Sequence, residues 1–374
     1  MTAIEDRLRA AFHADAETIA HPPPCPGRAS FRPGGQFTHR RIWIPLAAAA
    51  SVAAVIVSAA VIAPKMYAAR DHGAASTGRS PKFLAAIELR PTPALDIISA
   101  ATGHVTGQVA APVRGERFIG VVTAGSDRAF VAAVLSPKSC ATSFYYLRLT
   151  TAGAVSRIQP YARPLTKTYP ADLAVSSNLR VLAYVTEPCN PTASGGDPYG
   201  LSLTHLGGRG YTRRWIFRRG GPSSVSLTAN GRVAGFVSNS VVPSRQDLVE
   251  SEWLLPTDSP SGLVQRHYRQ VVSPRTRSGS LSCVLSPSGG STLCATPTQI
   301  ASYHTASGHE IRIWRTYPDK YGLAPTLSLS ASGRYLLVTY LGPGEHRAYG
   351  IDLETGRSIK LPKAVTDFVL SVAW

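Results

Sequence analysis

The chain has 374 residues, a formal net charge of +17 at pH 7 and a hydrophobic content of 44%. That apolar fraction is ordinary for globular proteins and excludes a wholly disordered chain, although the 32 glycines and 29 prolines exceed average usage. The basic balance favours an acidic partner such as nucleic acid, anionic lipid or an anionic envelope polymer, unless the charge is spread over a solvated surface.

The first 20 residues carry a helical pattern. Thr2 and Glu5 have the spacing of a capping box, and apolar residues at positions 4, 8, 11 and 12 fall on one side of a helix. We predict a short amphipathic helix over about residues 2–20, which needs a cytoplasmic regulatory partner or the inner membrane surface because it cannot fold alone. The HPPPC run that ends at Cys25 is too proline-rich for a zinc-binding helix, so we predict no metal.

Residues 42–63, IWIPLAAAASVAAVIVSAAVIA, contain no charged side chain. As a helix they would span roughly 33 Å, against about 30 Å for a bilayer core. Arginines at positions 28, 32, 40 and 41 precede this segment. The positive-inside rule therefore keeps residues 1–41 in the cytoplasm and places the C-terminal bulk outside the cell membrane, tethered by a single pass. A cleaved signal peptide is the alternative, but its apolar region is usually shorter, at about 7–15 residues.

Beyond a linker at residues 64–82, two kinds of turn recur. Apolar alternation around a first Ser/Asn/Gly turn indicates a β-hairpin, and that turn recurs at Arg128, Arg180, Arg232, Gly290 and Arg334. A second turn recurs at Gly103, Gly153, Gly208, Gly262, Gly308 and Gly356. Each period of about 50 residues thus holds two hairpins and four strands, and radial repetition of four strands is a β-propeller.

The unequal numbers of the two turns predict how the ring closes. The C-terminal segment TDFVLSVAW (366–374) has the pattern of an innermost strand, and residues 82–109 have that of the other three strands of the same blade. We predict an all-β, six-bladed propeller over residues 83–374, in which the C-terminal strand closes the ring and removes open sheet edges. Seven blades do not fit the spacings, and a β-sandwich does not explain two interleaved periods.

Tandem S-x-S-G-R-like hairpins, such as LSLSASGRYLLV at 327–338, behind an N-terminal anchor resemble the TolB-like and WD-repeat propellers of bacteria. More closely, the chain is similar to bacterial membrane-anchored propellers of the WD-repeat class, although the WD dipeptide is absent. The resemblance covers most of the chain, from Thr2 to Trp374. It implies scaffolding or ligand binding and no defined reaction.

Four of the five cysteines follow the predicted membrane span, an even number in an oxidising compartment. Cys283 and Cys294 flank VLSPSGGSTL and fall opposite one another if the turn centres on Ser288 and Gly289. Cys140 and Cys189 each follow the second strand of neighbouring blades, so they share a face. We predict the disulfides 140–189 and 283–294, with two buried thiols as the alternative for each pair.

The connections on one face of the predicted ring are long, and binding residues concentrate on such loops. They are predicted at 137–143, 187–200 and 238–246 within blades, and at 159–170, 218–222, 269–279 and 316–324 between blades. Arginine beside tyrosine suits anionic or planar ligands, although solvated rim charge is the simpler interpretation. The candidate ligand-binding residues are Arg163, Lys167, Tyr169, Arg218, Arg219, Arg275, Arg277, Tyr317, Lys320 and Tyr321.

No motif of nucleophilic, metallopeptidase or phosphate-binding chemistry occurs in the sequence, so we predict no catalytic residue and no cofactor. We expect a membrane-tethered extracytoplasmic propeller that binds a protein or an anionic envelope ligand, and no nucleic acid. One alternative is a transmembrane signalling regulator, in which the propeller senses and the N-terminal helix acts in the cytoplasm. An envelope hydrolase is the third hypothesis.

Overall fold

A computed structural model describes residues 80–374 except 89–93, 190–198, 207–209, 218–220, 243–246, 264–268, 273–279, 318–323, 343–344, 362–364 and 366–368. The predicted tail (1–41), membrane helix (42–63) and nearly all of the linker (64–82) lie outside the described residues, so these remain predictions. In the part that is described, no helix is long and apolar enough to cross a membrane.

The described residues form strands throughout. In chain order these are β1 (Phe83–Glu88), β2 (Leu95–Ser99), β3 (Val105–Val109), β4 (Arg117–Thr123), β5 (Ala129–Ser136), β6 (Ala141–Leu149), β7 (Val155–Thr166), β8 (Thr168–Val175), β9 (Val181–Pro188), β10 (Gly200–His205), β11 (Tyr211–Ile216), β12 (Pro222–Leu227), β13 (Val233–Val242), β14 (Asp247–Pro256), β15 (Gly262–Leu263), β16 (Arg269–Val272), β17 (Ser282–Leu285), β18 (Ser291–Ala295), β19 (Gln299–His304), β20 (Glu310–Thr316), β21 (Thr326–Leu329), β22 (Tyr335–Gly342), β23 (Glu345–Asp352), β24 (Ser358–Lys360) and β25 (Val369–Ala373).

These strands form six blades, as the sequence predicts. From the innermost strand outward, blade 1 is β25-β1-β2-β3, blade 2 is β4-β5-β6-β7 and blade 3 is β8-β9-β10-β11. Blade 4 is β12-β13-β14-β16, blade 5 is β17-β18-β19-β20 and blade 6 is β21-β22-β23-β24. The all-β, six-bladed fold and its closure by the C-terminal strand are confirmed.

Closure of the ring depends on contacts made by β25. This strand pairs antiparallel with β1, with Val372 opposite Ala86. It also contacts blade 2, because the Val121 N–H donates to Ser371 Oγ at 3.3 Å and Thr123 Oγ1 donates to the Trp374 carbonyl at 2.9 Å. Trp374 is fully buried against blade 6. The last strand is therefore joined to the first two blades and the last one.

The recurring Ser/Asn/Gly turn has a physical cause. A Ser or Thr hydroxyl at the start of the turn accepts the backbone N–H five residues later, which fixes the tight hairpin. This bond occurs in four blades, at Ser176–Val181, Thr228–Val233, Ser286–Ser291 and Ser330–Tyr335. In blade 2 the equivalent residue is Ala124, which has no hydroxyl, and this explains why that copy of the repeat is looser in sequence.

Apolar side chains fill the spaces between neighbouring blades. The six core clusters of the described residues each draw on two adjacent blades, and together they go once around the ring. The second strand from the axis is buried on both faces in most blades. In blade 2 this strand is β5, which is buried along nearly its whole length. Burial of both faces explains why these strands have nearly continuous apolar runs.

Several predicted connections differ from the structure: residues 141–143 belong to β6 and residues 269–272 form β16, and three larger differences follow. Residues 159–170 do not form a loop, because β7 reaches Thr166 and β8 begins at Thr168. β7 contains Pro160 and Pro164, and it is the outermost strand of its blade, the position in a sheet where proline is tolerated. The predicted 238–246 loop is reduced to residues 243–246 by extension of β13 and β14.

The third difference concerns Gly262, predicted in a hairpin turn of blade 4. It lies instead in β15, which pairs parallel with β11 of blade 3, with Gly262 opposite Trp215. Trp215 Nε1 donates to the Pro260 carbonyl at 2.8 Å, and Arg213 donates to the Ser259 carbonyl at 2.8 Å. These two bonds hold the connection against the neighbouring blade.

Both predicted disulfides are present. Cys140 and Cys189 join blades 2 and 3, with Cα atoms 6.3 Å apart. Cys283 and Cys294 are directly opposite in the β17–β18 ladder, with Cα atoms 4.1 Å apart.

Candidate functional site

A polar cleft of about 1240 Å³ lies between blades 2 and 3. We call it the blade 2–blade 3 cleft. Its blade 2 wall consists of residues 160–166 of β7, and Thr168 follows at the start of β8. Its blade 3 wall consists of Tyr184, Thr186, Ser202, Thr204, Thr212 and Arg214, with His205, Leu206 and Gly210 at one end.

The blade 3 wall is polar because of strand alternation. In β9, β10 and β11, alternate residues are apolar and pack against blade 4, among them Val185, Leu203 and Trp215. On the opposite face, toward blade 2, Leu182 and Tyr184 pack into the core cluster that the two blades share, while Thr186, Ser202, Thr204, Thr212 and Arg214 line the cleft. The blade 3 face toward blade 2 therefore combines apolar packing with a hydroxyl-rich part that borders the cleft.

The hydroxyls of this wall form a continuous row across three strands. The Tyr184 hydroxyl lies 3.3 Å from Thr204 Oγ1, which lies 3.0 Å from Thr212 Oγ1. Burial raises the pKa of Tyr184 above its usual value, and burial likewise raises that of Tyr161 on the opposite wall. Both phenols therefore stay neutral and keep a proton to donate at ordinary pH.

Two arginines give the cleft its charge. Arg214 lies on β11, and its side chain passes over Gly200 of the adjacent strand, where a Cβ would be 3.1 Å from Arg214 Nε. Arg163 lies on β7 and is exposed. Among the described residues that line the cleft, none is Asp or Glu. The described lining residues therefore include two arginines and no acidic side chain.

Backbone strain is concentrated at the same boundary. Three non-glycine residues of the described chain have positive φ: Cys140 at 48°, Lys167 at 63° and Leu179 at 60°. Cys140 lies in the turn that is bonded to blade 3, Lys167 connects β7 to β8, and Leu179 lies in the first turn of blade 3. Such conformations cost of order 1–3 kcal/mol each and persist where the surrounding structure enforces them, often at binding sites.

Several bonds hold the two blades together beside the cleft. The Cys140–Cys189 disulfide joins them covalently. Thr142 Oγ1 donates to the Thr168 carbonyl at 3.5 Å, and the Tyr161 hydroxyl donates to the Leu179 carbonyl at 3.1 Å. These links fix the separation of the two walls.

The structure brings part of the predicted binding set to this boundary. Arg163 lines the cleft, Lys167 is the single residue between β7 and β8, and Tyr169 follows on β8. These three belong to strands or a one-residue connection, and not to the long loop that was predicted. The remaining predicted residues Arg218, Arg219, Arg275, Arg277, Lys320 and Tyr321 lie outside the described residues.

Two of the predicted tyrosines make intramolecular hydrogen bonds. The Tyr169 hydroxyl donates to Glu187 Oε2 at 2.7 Å, and this bond raises the pKa of Tyr169 to about 12. The Tyr317 hydroxyl donates to the Thr296 carbonyl at 2.8 Å within blade 5. The structure therefore places Tyr317 away from the cleft, and its hydroxyl supports a local connection.

The predicted binding residues do not include Tyr184, Thr204, Thr212 and Arg214. These residues lie on strands, whereas binding residues were expected on loops. Their signal was present in the strands. GLSLTH (200–205) alternates apolar with polar residues, which indicates a strand with one apolar and one polar face. YTRRWI (211–216) does not alternate, so Thr212 and Arg214 had a weaker signal.

A second cavity, of about 520 Å³, is the central channel lined by the innermost strands. Its carboxyl groups bind backbone of neighbouring blades: Asp172 Oδ2 accepts the Val225 N–H at 2.7 Å, and Glu250 accepts the Leu281 N–H. Removal from water raises the pKa of Asp172 to about 7. These groups connect adjacent blades, so we do not place the binding site in the channel.

A buried acidic group lies between blades 4 and 5. Glu252 is fully buried, and desolvation raises its pKa to about 8. One of its oxygens lies 2.6 Å from Thr292 Oγ1 and the other 3.5 Å from Cys294 Sγ. Glu252, Cys283 and Cys294 could together ligate a metal, but the two sulfurs are bonded to each other.

By sequence, no protein-family model matches the chain, and no curated protein matches it significantly.

By structure, the chain is similar to TolB from Acinetobacter baumannii, with 11% identity and a TM-score of 0.52. The match covers 78% of this chain and 66% of TolB, just under two thirds of its length. A periplasmic gluconolactonase, PpgL, from Pseudomonas aeruginosa gives 13% identity and a TM-score of 0.43, with 75% of this chain and 94% of that chain covered. At such identities the similarity concerns the fold alone. The chain has a TolB-like β-propeller fold with six four-stranded blades.

Proposed function

We propose that the protein is a membrane-tethered, extracytoplasmic propeller that binds a protein or an anionic envelope ligand in the blade 2–blade 3 cleft. The observation that carries this proposal is a cleft of about 1240 Å³ between blades 2 and 3, lined by a row of hydroxyls and by two arginines. The uncharged segment 42–63 and the arginines before it support the topology.

The test is cross-linked affinity purification of the full-length chain from its native membranes. Thr212→Trp places a large ring in the cleft from an exposed position on the outermost strand of blade 3. Ile311→Trp is the matched control, because Ile311 is 46% exposed on the outermost strand of blade 5. We expect Thr212→Trp to lose extracytoplasmic components that Ile311→Trp retains.

Retention of every component by Thr212→Trp would refute binding in the cleft. A third variant lacks residues 2–20, the predicted amphipathic helix. If this deletion removes a cytoplasmic component, the protein is a signalling regulator and the cleft ligand is its input. If all components are retained after the deletion, residues 2–20 only help to set the membrane topology.

A further inference from the structure

We propose that one end of blade 2 is a second binding surface, which takes an extended, acidic and partly apolar segment of a partner protein. The surface is a row of four exposed basic residues, which we call the blade 2 ridge: Arg114, Arg117, Lys138 and Lys167. None of them lines the blade 2–blade 3 cleft, so this proposal does not depend on what the cleft binds.

The topology of blade 2 brings three of these residues into a row. Arg117 begins β4, Lys138 lies in the turn between β5 and β6, and Lys167 directly follows β7. Leu135, just before this turn, is opposite Arg117, and Thr166, just before Lys167, is opposite the residue that follows the turn. With about 4.8 Å between neighbouring strands, the row crosses roughly 14 Å from β4 to β7.

The fourth residue, Arg114, extends the row beyond β4. It lies in a turn in which the Glu116 N–H donates to the Val113 carbonyl at 3.1 Å, and this turn leads into Arg117. Val113 is 53% exposed, and a Cβ at Gly115 would meet nothing within 4 Å, so the space beside the turn is open. An exposed apolar side chain thus accompanies the basic ones.

The positive charge of the ridge is not neutralised within the part of the chain that the structure describes. There, the side chains of its four residues make no ion pair and no hydrogen bond. Glu116 lies between two of them in sequence without pairing with either, and Glu187 accepts a tyrosine hydroxyl. Arg334 shows the contrast, because Asp352 and Glu354 pair with it. The ridge can therefore attract an acidic partner.

The surroundings of the ridge favour a protein segment over a phosphate polymer. Val113 and the prolines at 112 and 137 are exposed beside the basic residues. Apolar side chains of a peptide can pack on these three residues, whereas a phosphate chain has none to bury. Side chains on one side of an extended peptide recur about every 6.6 Å, so two or three carboxylates fit along a row of roughly 14 Å.

The ridge is also held in place before a partner binds. The turn that carries Lys138 ends at Cys140, whose disulfide with Cys189 ties it to blade 3. Lys167, at φ 63°, is the single residue between β7 and β8. Because these backbone positions are fixed, binding costs less conformational freedom than it would on a mobile loop.

The test is fluorescence anisotropy of labelled probes with the full-length chain in detergent micelles. Two peptides of about ten residues, long enough to cover the ridge, alternate glutamate with valine and glutamate with serine. The third probe is inorganic polyphosphate. We expect the glutamate–valine peptide to bind most tightly, and its affinity to fall when the ionic strength rises from about 0.01 to 0.1 M, because salt screens exposed charges.

The double variant Arg117→Gln, Lys138→Gln should weaken binding of the glutamate–valine peptide about 3- to 10-fold at the lower ionic strength. The matched control is Lys82→Gln, Arg180→Gln, which removes one lysine and one arginine that are exposed at the opposite end of the blades. Thermal unfolding checks that each variant folds. If the ridge variant does not fold, Arg114→Gln in the exposed turn takes its place.

The proposal is overturned if neither peptide binds the wild-type chain, or if the control variant weakens binding as much as the ridge variant. The second result would mean attraction to the general positive charge of the chain. Equal binding of the two peptides would refute the apolar contact. Tighter binding of polyphosphate through Arg117 and Lys138 would show that the ridge takes a phosphate polymer.

The variant Thr212→Trp separates this proposal from binding in the cleft. It obstructs the cleft and leaves the ridge intact, so the affinity for the glutamate–valine peptide should not change. Loss of peptide binding in Thr212→Trp would place the peptide in the cleft and overturn the ridge. Failure of the peptide to bind at all would leave the purification result for the cleft unaffected.

Discussion

Two interfaces between blades of this ring contain both a disulfide and buried polar groups, yet they differ in form. Between blades 2 and 3, a row of hydroxyls and two arginines line an open cleft of about 1240 Å³. Between blades 4 and 5, Glu252 is sealed among apolar side chains, the Thr292 hydroxyl and the Cys283–Cys294 disulfide. The first interface contains a cleft, whereas the carboxyl group of the second is fully buried.

The difference shows that buried polarity alone does not identify a binding site. Glu252 has the more perturbed environment, because its carboxyl is fully enclosed and stays protonated near neutral pH. Its oxygens nevertheless contact the Thr292 hydroxyl and Cys294 Sγ of the same ring, and its side chain is fully buried. At the blade 2–blade 3 boundary, polarity coincides with space, positive charge and strained backbone. We therefore assign a binding role to that boundary and a structural role to Glu252.

The largest effect that separates the two interfaces should come from their disulfides. Cys140 and Cys189 are 49 residues apart and join two blades, whereas Cys283 and Cys294 are 11 residues apart in one hairpin. Loop-closure entropy predicts stabilisation by about 4 kcal/mol for the first and about 3 kcal/mol for the second. Denaturant unfolding with and without reductant measures each value.

Two backgrounds isolate the disulfides. Reduction of a Cys283→Ala, Cys294→Ala chain reports on the 140–189 bond, and reduction of a Cys140→Ser, Cys189→Ser chain reports on the 283–294 bond. Each value is a difference within one background, so cavities left by the substitutions cancel. A larger loss for the 283–294 bond would mean that contacts with Glu252 outweigh chain entropy.

The pH dependence of stability should identify Glu252. Its pKa is raised from 4.5 to about 8 in the folded chain. Below about pH 4.5 both folded and unfolded chains hold the proton, and the full contribution is present. As the pH rises toward 8, the unfolded chain releases the proton while the folded chain keeps it, so stability falls, by a few kcal/mol in total.

Glu252→Gln should therefore match the wild type near pH 5 and be more stable than it near pH 9. Asp258→Asn is the control, because Asp258 is exposed and should leave the pH profile unchanged. Glu252→Gln should retain a slope below about pH 7, because the pKa of Asp172 is raised to about 7 and burial also raises the pKa of Glu250. A slope in Glu252→Gln between pH 7 and 9 as steep as that of the wild type would exclude Glu252 as its cause.

A smaller effect should follow from Gly200→Ala, which tests how the cleft makes room for Arg214. A Cβ at Gly200 would lie 3.1 Å from Arg214 Nε, 3.2 Å from the Trp215 carbonyl and 3.3 Å from Thr186 Oγ1. We expect a loss of about 1 kcal/mol in unfolding free energy, since Arg214 has to shift. Gly290→Ala is the control, because a Cβ there would meet only Ser288 Oγ, at 3.6 Å. Equal stability of the two variants would show that Arg214 is loosely placed.

The ring was predictable from sequence and the cleft only in part, for physical reasons. A hydroxyl that fixes each hairpin repeats with the blade, so Ser176, Thr228 and Ser330 left a periodic signal. The disulfide between Cys283 and Cys294 was likewise predictable, because the two residues occupy opposite positions in one hairpin. The cleft leaves no periodic signal in the sequence, because it occurs at one boundary and lies beside the core cluster that blades 2 and 3 share. Of the two arginines that line the cleft, Arg163 was predicted as a binding residue. Arg214 was not, because the sequence does not show which strand faces of neighbouring blades meet.

The smallest effect should come from Tyr169→Phe. This substitution tests whether Tyr169, a predicted binding residue, contacts a ligand or only stabilises the pairing of β8 with β9. Tyr169 and Glu187 are opposite one another on β8 and β9, and the Tyr169 hydroxyl donates to Glu187 Oε2 at 2.7 Å. Because the pKa of Tyr169 is raised to about 12, the hydroxyl keeps its proton and the bond persists across ordinary pH. The pair is partly exposed, so its loss should cost about 1 kcal/mol or less.

If Tyr169 only stabilises the strand pair, Tyr169→Phe lowers the unfolding free energy slightly and retains the extracytoplasmic components recovered by affinity purification. If those components are lost while stability is unchanged, the hydroxyl contacts the ligand, and the site extends from the cleft onto β8. Thr204→Val provides the comparison, because Thr204 belongs to the hydroxyl row and should lose those components. Comparison of these two variants thus shows whether the binding surface includes β8.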